Sequence, residues 1–200
     1  QKSIDIGIFG LNNFDYSIYE NFANIKIFSM GLDWDVIRGR VGNLSKIRYL
    51  KALPSLGQII KEFKPDILHA HFATSYGLLG ALSGFHPYII SFWGTDIFDF
   101  PNISIIHKKI IKFNLSKADK ILSTSYVMAK EGKKYTNKDI EVTPFGIDLD
   151  VFKSMKTESP FSPSDIVIGT IKSLEKRYGI EYLIRAFKIL TDKHKNLPLR

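Results

Sequence analysis

The chain has 200 residues, of which 44% are hydrophobic, and a formal net charge of +8 from 28 Lys and Arg against 20 Asp and Glu. This length and apolar content suffice for one complete core, or for one domain and part of another. The positive charge favours anionic partners: nucleic acid, an acidic membrane surface or a phosphorylated ligand. The sequence contains no cysteine, which excludes disulfides and thiolate metal sites.

No apolar run approaches the roughly 20 residues that span a bilayer, and the residues after Gln1 do not resemble a signal peptide. The sequence therefore predicts a soluble cytoplasmic protein. Because the sequence begins with Gln1 rather than Met, we expect it to be a segment of a longer chain.

The N-terminal part of the chain alternates between strand and helix patterns. Apolar residues at every second position predict strands over residues 3–10 and 25–28, with a short helix around residues 15–22 between them. Gly7 and Gly10 do not form G-x-G-x-x-G, so the dinucleotide-binding fingerprint is absent. Two helices follow over residues 44–53, which are basic, and residues 54–63, with a proline suited to the first turn of the second helix.

The next stretch predicts two buried strands, residues 66–70 and 88–92, joined by a short glycine-rich helix that packs closely on the sheet. Both strands are apolar until their carboxyl ends. The polar side chains that gather there are His69, His71, Thr74, Ser91, Thr95 and Asp96. Ligands of open α/β sheets bind at this edge, so the pattern predicts a ligand site there.

The rest of the chain continues this alternation. We predict a helix over residues 103–117, a strand over 120–123, a helix over 125–134 with Ser125 as N-cap, and a short strand from 141. A Ser, Pro and Lys-rich linker follows, and then a strand at 165–171, a helix at 179–190 and the start of a strand at 197. The predicted organisation is a domain over 1–150, a linker over 151–164 and an incomplete second α/β domain over 165–200.

His69 and His71 lie two residues apart on a predicted strand, so their side chains point the same way. This spacing allows a metal pair, although no third ligand is evident in the sequence. The alternatives are a ligand-facing role for at least one of them and a structural, hydrogen-bonded histidine. His71 is the better functional candidate because it lies at the strand end.

Two Asp-x-Asp pairs, Asp33 with Asp35 and Asp148 with Asp150, have the form of a motif that binds a divalent cation on a diphosphate. The pattern is a weak signal, and the second pair follows a glycine in a turn, where Asp is favoured locally. Turn formation is therefore the alternative interpretation.

Residues 169–179 link a predicted strand to a predicted helix and carry Lys172, Lys176 and Arg177. A cationic loop at a helix N-terminus suits a diphosphate, because free N–H groups and the helix dipole favour anions and cations neutralise a departing phosphate. A solvated surface loop is the alternative.

The basic helices at residues 44–53 and 105–117 allow contact with anionic lipid. In the second helix Ile106, Ile110 and Phe113 share one side, whereas Lys108, Lys109 and Lys112 share another. Peripheral contact with an anionic membrane and an ordinary exposed helix face are the two interpretations.

Taken in order, five segments between about residues 65 and 190 resemble the retaining glycosyltransferases of family 4. The segments are PDILHAHFATSYGLLGAL, SFWGTDIF, ADKILSTSYVMAKE, VTPFGIDLDVF and IGTIKSLEKRYGIEYLIRAF. The resemblance implies the GT-B fold: a Rossmann-like parallel sheet flanked by helices that binds the acceptor, followed by a Rossmann-like donor domain, here truncated. It also implies a UDP- or GDP-linked sugar as donor, with no cofactor and no metal. The resemblance further implies that Lys172 and either Lys176 or Arg177 stabilise the leaving diphosphate.

Two features depart from this family. Trp93 stands in W-G-T-D where many members have His, and because Trp cannot accept a proton, an aromatic wall for a sugar face is the alternative role. The Glu-x7-Glu signature that holds the donor sugar and ribose is absent from these residues, so we expect the donor site to be incomplete within them.

The resemblance predicts transfer of a sugar, with retention, to a glycan or lipid-linked acceptor in polysaccharide or cell-envelope synthesis. The candidate catalytic residues are His71, Trp93 and Asp96. One alternative is a sugar-nucleotide epimerase of the same architecture. The other is a nucleic-acid-binding module suggested by the charge, but the aromatic residues lie mostly in apolar segments rather than among basic residues, so we expect no nucleic acid.

Overall fold

The computed structural model describes residues 4–12, 17–19, 21–32, 49–153 and 158–200. The chain divides into two compact units, Gln1–Gly146 and Ile147–Arg200, and each is described by itself below. The helix predicted over residues 44–53 lies largely outside the described residues, and Asp33 and Asp35 lie outside them entirely.

The first unit alternates strands with helices along the chain. Its described strands are β1 (Ile6–Asn12), β2 (Ile25–Leu32), β3 (Leu68–His71), β4 (Tyr88–Phe92), β5 (Lys120–Ser123) and β6 (Ile140–Val142). Its described α-helices are α1 (Leu53–Phe63), α2 (Ser75–Ser83), α3 (Thr95–Phe98), α4 (Ile105–Lys117) and α5 (Tyr126–Gly132). Short 3-10 helices occupy Ser17–Tyr19 and Phe100–Asn102.

All the strand pairs of this unit are parallel among the described residues. β1 pairs with β2 in one sheet, and a second sheet has the order β3-β4-β5-β6. Helices connect successive strands of the second sheet, as parallel pairing requires. The predicted α/β class, with Rossmann-like parallel sheets flanked by helices, is confirmed.

The core of the first unit is centred on β4, in which Ile89 is half-buried and the other four residues are buried. Tyr88, Ile90 and Phe92 are all at most 1% exposed. A near-continuous apolar run is typical of a parallel strand covered on both sides. The close packing predicted for the glycine-rich helix is confirmed, because a Cβ on Gly80 would lie only 2.3 Å from the Tyr88 ring. The Tyr88 hydroxyl also donates a 2.7 Å hydrogen bond to the carbonyl of Gly77.

Helix α4 buries a different side from the one that its apolar spacing suggests. Its fully buried residues are Ile111, Asn114 and Leu115. Ile106 is instead 65% exposed and Phe113 is 37% exposed. The polar Asn114 enters the core because its amide finds carbonyl partners there, so the buried side cannot be identified by hydrophobicity alone. At the next helix the predicted N-cap is confirmed, since Ser125 Oγ accepts from the N–H of Met128.

The second unit contains a 3-10 helix, Lys176–Tyr178, and helix α6 (Ile180–Lys193). The strand predicted over residues 165–171 is reduced to a single parallel bridge between Ile166 and Leu199. Three backbone hydrogen bonds of 2.8–3.0 Å accompany that bridge. Two segments that meet over so few residues form too short a ladder to count as strands.

Candidate functional site

The carboxyl ends of β3 and β4 bring the predicted polar side chains together. His71 lies opposite Ser91 in the parallel register. His69 Nε2 and Ser91 Oγ are 2.6 Å apart, and the centres of the His69 and His71 rings are 4.1 Å apart. The two histidines therefore share one side of β3, as their spacing predicts. One ring nitrogen of His69 is hydrogen-bonded to Ser91, and both His69 and His71 are exposed residues.

Both imidazoles of this pair favour the neutral form. Partial burial lowers the pKa of His69 to about 4, and the proximity of His71 contributes to that shift. Partial burial also lowers the pKa of His71. Removing a cationic imidazole from water is unfavourable, which explains the direction of both shifts. At neutral pH the exposed His71 ring therefore has one nitrogen able to accept a hydrogen bond or a proton from a ligand hydroxyl.

Trp93 continues this edge directly after β4. Its ring centre lies 5.6 Å from that of His71 in an edge-to-face arrangement, and 5.1 Å from that of Phe145. Trp93 is 48% exposed and Phe145 is 65% exposed. Phe145 is not among the site residues predicted from sequence. A signal was present, because Phe145 lies in a Pro-Phe-Gly turn just after β6, where the carboxyl end of a fourth parallel strand reaches the same edge.

Asp96 lies beneath this edge and is fully buried. Its carboxylate accepts hydrogen bonds from the backbone N–H groups of Ala73 at 2.8 Å, Trp93 at 3.0 Å and Gly94 at 2.8 Å. Burial raises the pKa of Asp96, and these N–H bonds oppose the shift by stabilising the charged form. The carboxylate thus joins the turns that follow β3 and β4, and its predicted catalytic role stays a prediction.

The turn between β3 and α2 is held from a second direction. Buried Asn114 donates from Nδ2 to the carbonyls of Ala73 at 2.9 Å and Thr74 at 3.2 Å. Phe72, next to His71, has a φ of 95°, which is an unfavourable conformation for a residue with a side chain. Such strain persists only where surrounding contacts fix the backbone. Asn114 therefore helps to position His71, a role that a polar residue inside a predicted helix does not reveal in sequence.

The candidate metal ligands predicted from the sequence are the histidine pair and the two Asp-x-Asp pairs. The described residues include no group of three or more His, Asp or Glu side chains placed to hold a metal ion. In the second unit Asp148 Oδ1 accepts from the N–H of Asp150 at 2.9 Å and of Val151 at 3.3 Å. That geometry is a local turn, the alternative interpretation of this Asp-x-Asp pair.

The cationic loop of the second unit ends at the N-terminus of α6. Lys172 Nζ lies 4.3 Å from the centre of the Tyr178 ring, and Lys176 is exposed. Gly179 takes a φ of 68° immediately before α6, a conformation that glycine adopts without strain. The side chain of Arg177 lies outside the described part of the chain. The diphosphate role of these three cations stays a prediction.

A cavity of about 320 Å³ lies away from the candidate site, next to the amino ends of β5 and β6. Its lining consists of Lys112, Ser116, Lys133, Lys134, Tyr135, Thr136, Asn137 and Lys138. Lys138 donates to the carbonyls of Ser116 and Ala118, and Lys133 donates to the carbonyl of Lys138. Lys134 pairs with Glu131 at 2.7 Å. Three of the four lysines that line the cavity are thus bonded to acceptors within the chain itself.

Comparison with known proteins gives the class to which this fold and site belong. The sequence model described as glycosyl transferase 4-like matches residues 1–125, which is more than half of the chain. The chain therefore belongs to the glycosyl transferase 4-like family, and the matched region includes β3, β4 and β5.

A particular relative is the putative teichuronic acid biosynthesis glycosyltransferase TuaC of Bacillus subtilis (strain 168). The two sequences are 32% identical over 96 residues, which cover 46% of this chain and 25% of TuaC. The match thus spans about a quarter of the length of that relative.

Proposed function

We propose that the protein containing this chain is a glycosyltransferase of cell-envelope polysaccharide synthesis, which moves a sugar from a nucleotide-sugar donor to a glycan or lipid-linked acceptor. The observation that carries this proposal is the family match over residues 1–125, which includes the strands that present His71 and Trp93. The name of TuaC, which refers to teichuronic acid biosynthesis, supports an envelope polysaccharide as the product.

The proposed architecture is GT-B, with retention of configuration at the anomeric carbon. The first unit corresponds to the acceptor domain that we predict over residues 1–150, and residues 151–164 to a linker. The second unit supplies the beginning of the donor domain. The described residues support this division, because the cationic loop lies in the second unit and the aromatic, polar edge lies in the first.

Stabilisation of the leaving diphosphate is the main catalytic contribution that we propose. As the glycosidic bond breaks, positive charge develops on the sugar and negative charge on the departing oxygen, so preplaced cations lower the barrier. Lys172 and either Lys176 or Arg177 supply these cations without a metal. The exposed side chain of Lys176 and the position of the loop before α6 support this role.

On the acceptor side, neutral His71 accepts a hydrogen bond from the attacking hydroxyl, and Trp93 provides an apolar wall. Asp96 fixes the two turns that carry them. Because the Asp96 carboxylate is buried and bonded to three N–H groups, it is unsuited to attack a sugar, and we propose no covalent intermediate.

The test is donor binding by the full-length protein, measured by calorimetry with a panel of UDP- and GDP-linked sugars. Lys172→Gln is expected to lower kcat/KM by about a hundredfold to a thousandfold, the loss that follows removal of one preorganised group that stabilises developing negative charge. Lys188→Gln is the matched control, because Lys188 lies in the same unit and pairs with Asp192 at 3.1 Å. No binding of any donor would contradict the proposal, and epimer formation without transfer to acceptor would favour an epimerase.

We also propose that the protein acts at the cytoplasmic face of the membrane. Among the described residues, no helix is both long and apolar enough to cross a bilayer. The start of α4 nevertheless exposes Ile105 by 66% and Ile106 by 65%, one turn before exposed Lys108 and Lys109. Apolar side chains beside lysines suit the interface of an anionic bilayer, because the apolar groups insert while the cations hold acidic headgroups.

A further inference from the structure

Trp93 and Phe145 form an exposed aromatic pair at the carboxyl edge of the second sheet, with ring centres 5.1 Å apart. We propose that this pair, the aromatic platform, binds the pyranose ring of the acceptor glycan and so selects a sugar terminus as acceptor. The inference rests on the proposed function and deepens it, because it names the part of the acceptor that the site holds.

The exposure of the two rings is the first argument. An aromatic side chain that stays in water forgoes the transfer free energy of its apolar surface. Trp93 nevertheless leaves 48% of its surface exposed, and Phe145 leaves 65% exposed. Their planes meet at 59°, so the two rings form a bent surface rather than a stacked pair. Such a surface leaves ring faces open to a ligand with an apolar face of its own.

The rigidity of the platform is the second argument. The N–H groups of Trp93 and Gly94 donate to buried Asp96 at 3.0 and 2.8 Å, which fixes the turn that carries the Trp93 ring. Two residues before Phe145, the N–H of Thr143 donates to the carbonyl of Ser123 at 2.7 Å. Both rings are therefore held close to hydrogen-bonded backbone. A preorganised surface loses less conformational entropy when it binds a ligand.

The absence of positive charge from the adjoining turns is the third argument, and it favours an uncharged ligand. The residues that follow the four strands of this sheet are 72–76, 93–96, 124–126 and 143–146, and they contain neither Lys nor Arg. The carboxylate among them, Asp96, is buried. A diphosphate would find no cation on these turns, whereas a neutral sugar ring needs none. The C–H groups on one face of a pyranose pack against aromatic faces, and its hydroxyls can bond the exposed Thr95 and neutral His71.

Tryptophan fluorescence of the full-length protein gives a direct readout in a Trp34→Phe background. Trp34 and Trp93 are the two tryptophans of this chain, so within it the substitution leaves Trp93 as the reporter. A Trp34→Phe/Trp93→Phe protein measured in parallel subtracts the emission of any tryptophan elsewhere in the full-length protein. The probes are the uncharged methyl pyranosides of glucose, galactose and N-acetylgalactosamine, with UMP and GMP as nucleotide probes. We expect at least one glycoside to shift Trp93 emission in a saturable way, and neither nucleotide to do so.

Substitution of Phe145 then separates aromatic stacking from simple apolar contact. Phe145→Leu is expected to weaken glycoside binding about two- to twelvefold, the range that corresponds to a single aromatic pair, whereas Phe145→Tyr retains it. Phe22→Leu is the matched control, since Phe22 is 53% exposed and precedes the amino end of β2. Equal affinity in Phe145→Leu and the parent protein overturns the platform.

Nucleotide probes and donor binding complete the experiment. A shift of Trp93 emission by UMP or GMP but by no glycoside overturns the platform in favour of a base-stacking site. The platform is also overturned if no glycoside shifts Trp93 emission in a protein that binds a nucleotide sugar by calorimetry. Failure to bind any nucleotide sugar, by contrast, contradicts the proposed function itself, so the two failures are distinguishable.

Discussion

Replacement of Asp96 by Asn tests whether this buried carboxylate holds the two turns of the site together. The substitution keeps the size and shape of the side chain but replaces one acceptor oxygen with an NH2 group, which can only donate. In the structure the Oδ2 atom accepts from Ala73, and the Oδ1 atom accepts from Trp93 and Gly94. Whichever way the amide turns, at least one buried N–H group faces another donor.

The expected cost follows from these contacts. The better orientation keeps the amide oxygen at the Oδ1 position and leaves the N–H of Ala73 without an acceptor, which costs about 1–3 kcal/mol. The bonds from Trp93 and Gly94 persist, but they lose the charge assistance that roughly doubles the strength of such a bond. Relief of a buried charge offsets part of this loss. We therefore expect Asp96→Asn to lower the free energy of unfolding by about 2–4 kcal/mol.

Urea unfolding followed by circular dichroism measures this effect. The midpoint should fall while the slope with denaturant stays unchanged, because the native fold is retained. Asp99→Asn is the matched control, since Asp99 is exposed and three residues away, and it should change stability by less than about 0.5 kcal/mol. If Asp96→Asn behaves like that control, the turns are held by other contacts and the role assigned to Asp96 is wrong.

Three further predictions concern packing, pH and the membrane. Gly80→Ala should lower the free energy of unfolding by about 1–3 kcal/mol, because its Cβ would lie 2.3 Å from a buried tyrosine ring. Gly57→Ala is the control: no atom lies within 4 Å of its Cβ, so this helix substitution should raise the free energy of unfolding by about 0.5–1 kcal/mol. Because the pKa of His69 is about 4 in the folded state and 6.5 ordinarily, the unfolded state binds more protons between these values, so stability falls as pH drops through this window. Urea midpoints at pH 4.5, 5.5 and 7.5 should therefore vary less in His69→Gln than in the parent protein. Replacing both Ile105 and Ile106 by Ser should weaken sedimentation with anionic vesicles about tenfold or more, since both side chains are largely exposed and free to insert.

Each of these predictions has an outcome that contradicts it. Equal effects of alanine at the two glycines would mean that the tyrosine ring has room to move. An unchanged pH profile in His69→Gln would place the titrating group elsewhere. For the membrane, Ile67→Ser serves as the control because Ile67 is 54% exposed and lies outside α4. Equal vesicle binding by the double variant and this control would show that the start of α4 does not contact the membrane.

The strands and the shared edge of the site could be predicted from sequence because parallel sheets impose strong patterns. The predicted bounds 88–92 and 120–123 match β4 and β5 residue for residue. An apolar run bounded by polar residues leaves little choice of register or burial. Since all carboxyl ends of parallel strands meet at one edge, His71, Trp93 and Asp96 could be placed near one another without coordinates.

The remaining features depend on orientation, which one-dimensional patterns do not contain. The apolar residues of α4 occupy more than one side, so its spacing could not show that Asn114 faces the core while Ile106 faces solvent. The contact between Trp93 and Phe145 joins turns that are far apart in sequence, and neither turn by itself signals the other. The sequence likewise does not show that His71 is exposed whereas Asp96 is fully buried.

The distribution of charge connects the proposals for the two units. The chain has a net charge of +8, but the turns that follow β3 to β6 contain neither Lys nor Arg. Cationic side chains lie on the loop that carries Lys172, Lys176 and Arg177 and on α4. A transferase must bind a charged diphosphate and a largely uncharged sugar acceptor in one reaction, and cations beside the acceptor would attract the wrong end of the donor. An aromatic edge without cations avoids that error. Under the proposed aromatic platform, Trp93 recognises a sugar through a ring face without a charge, which is compatible with Trp at a position where the resemblance to family 4 implies His in many members.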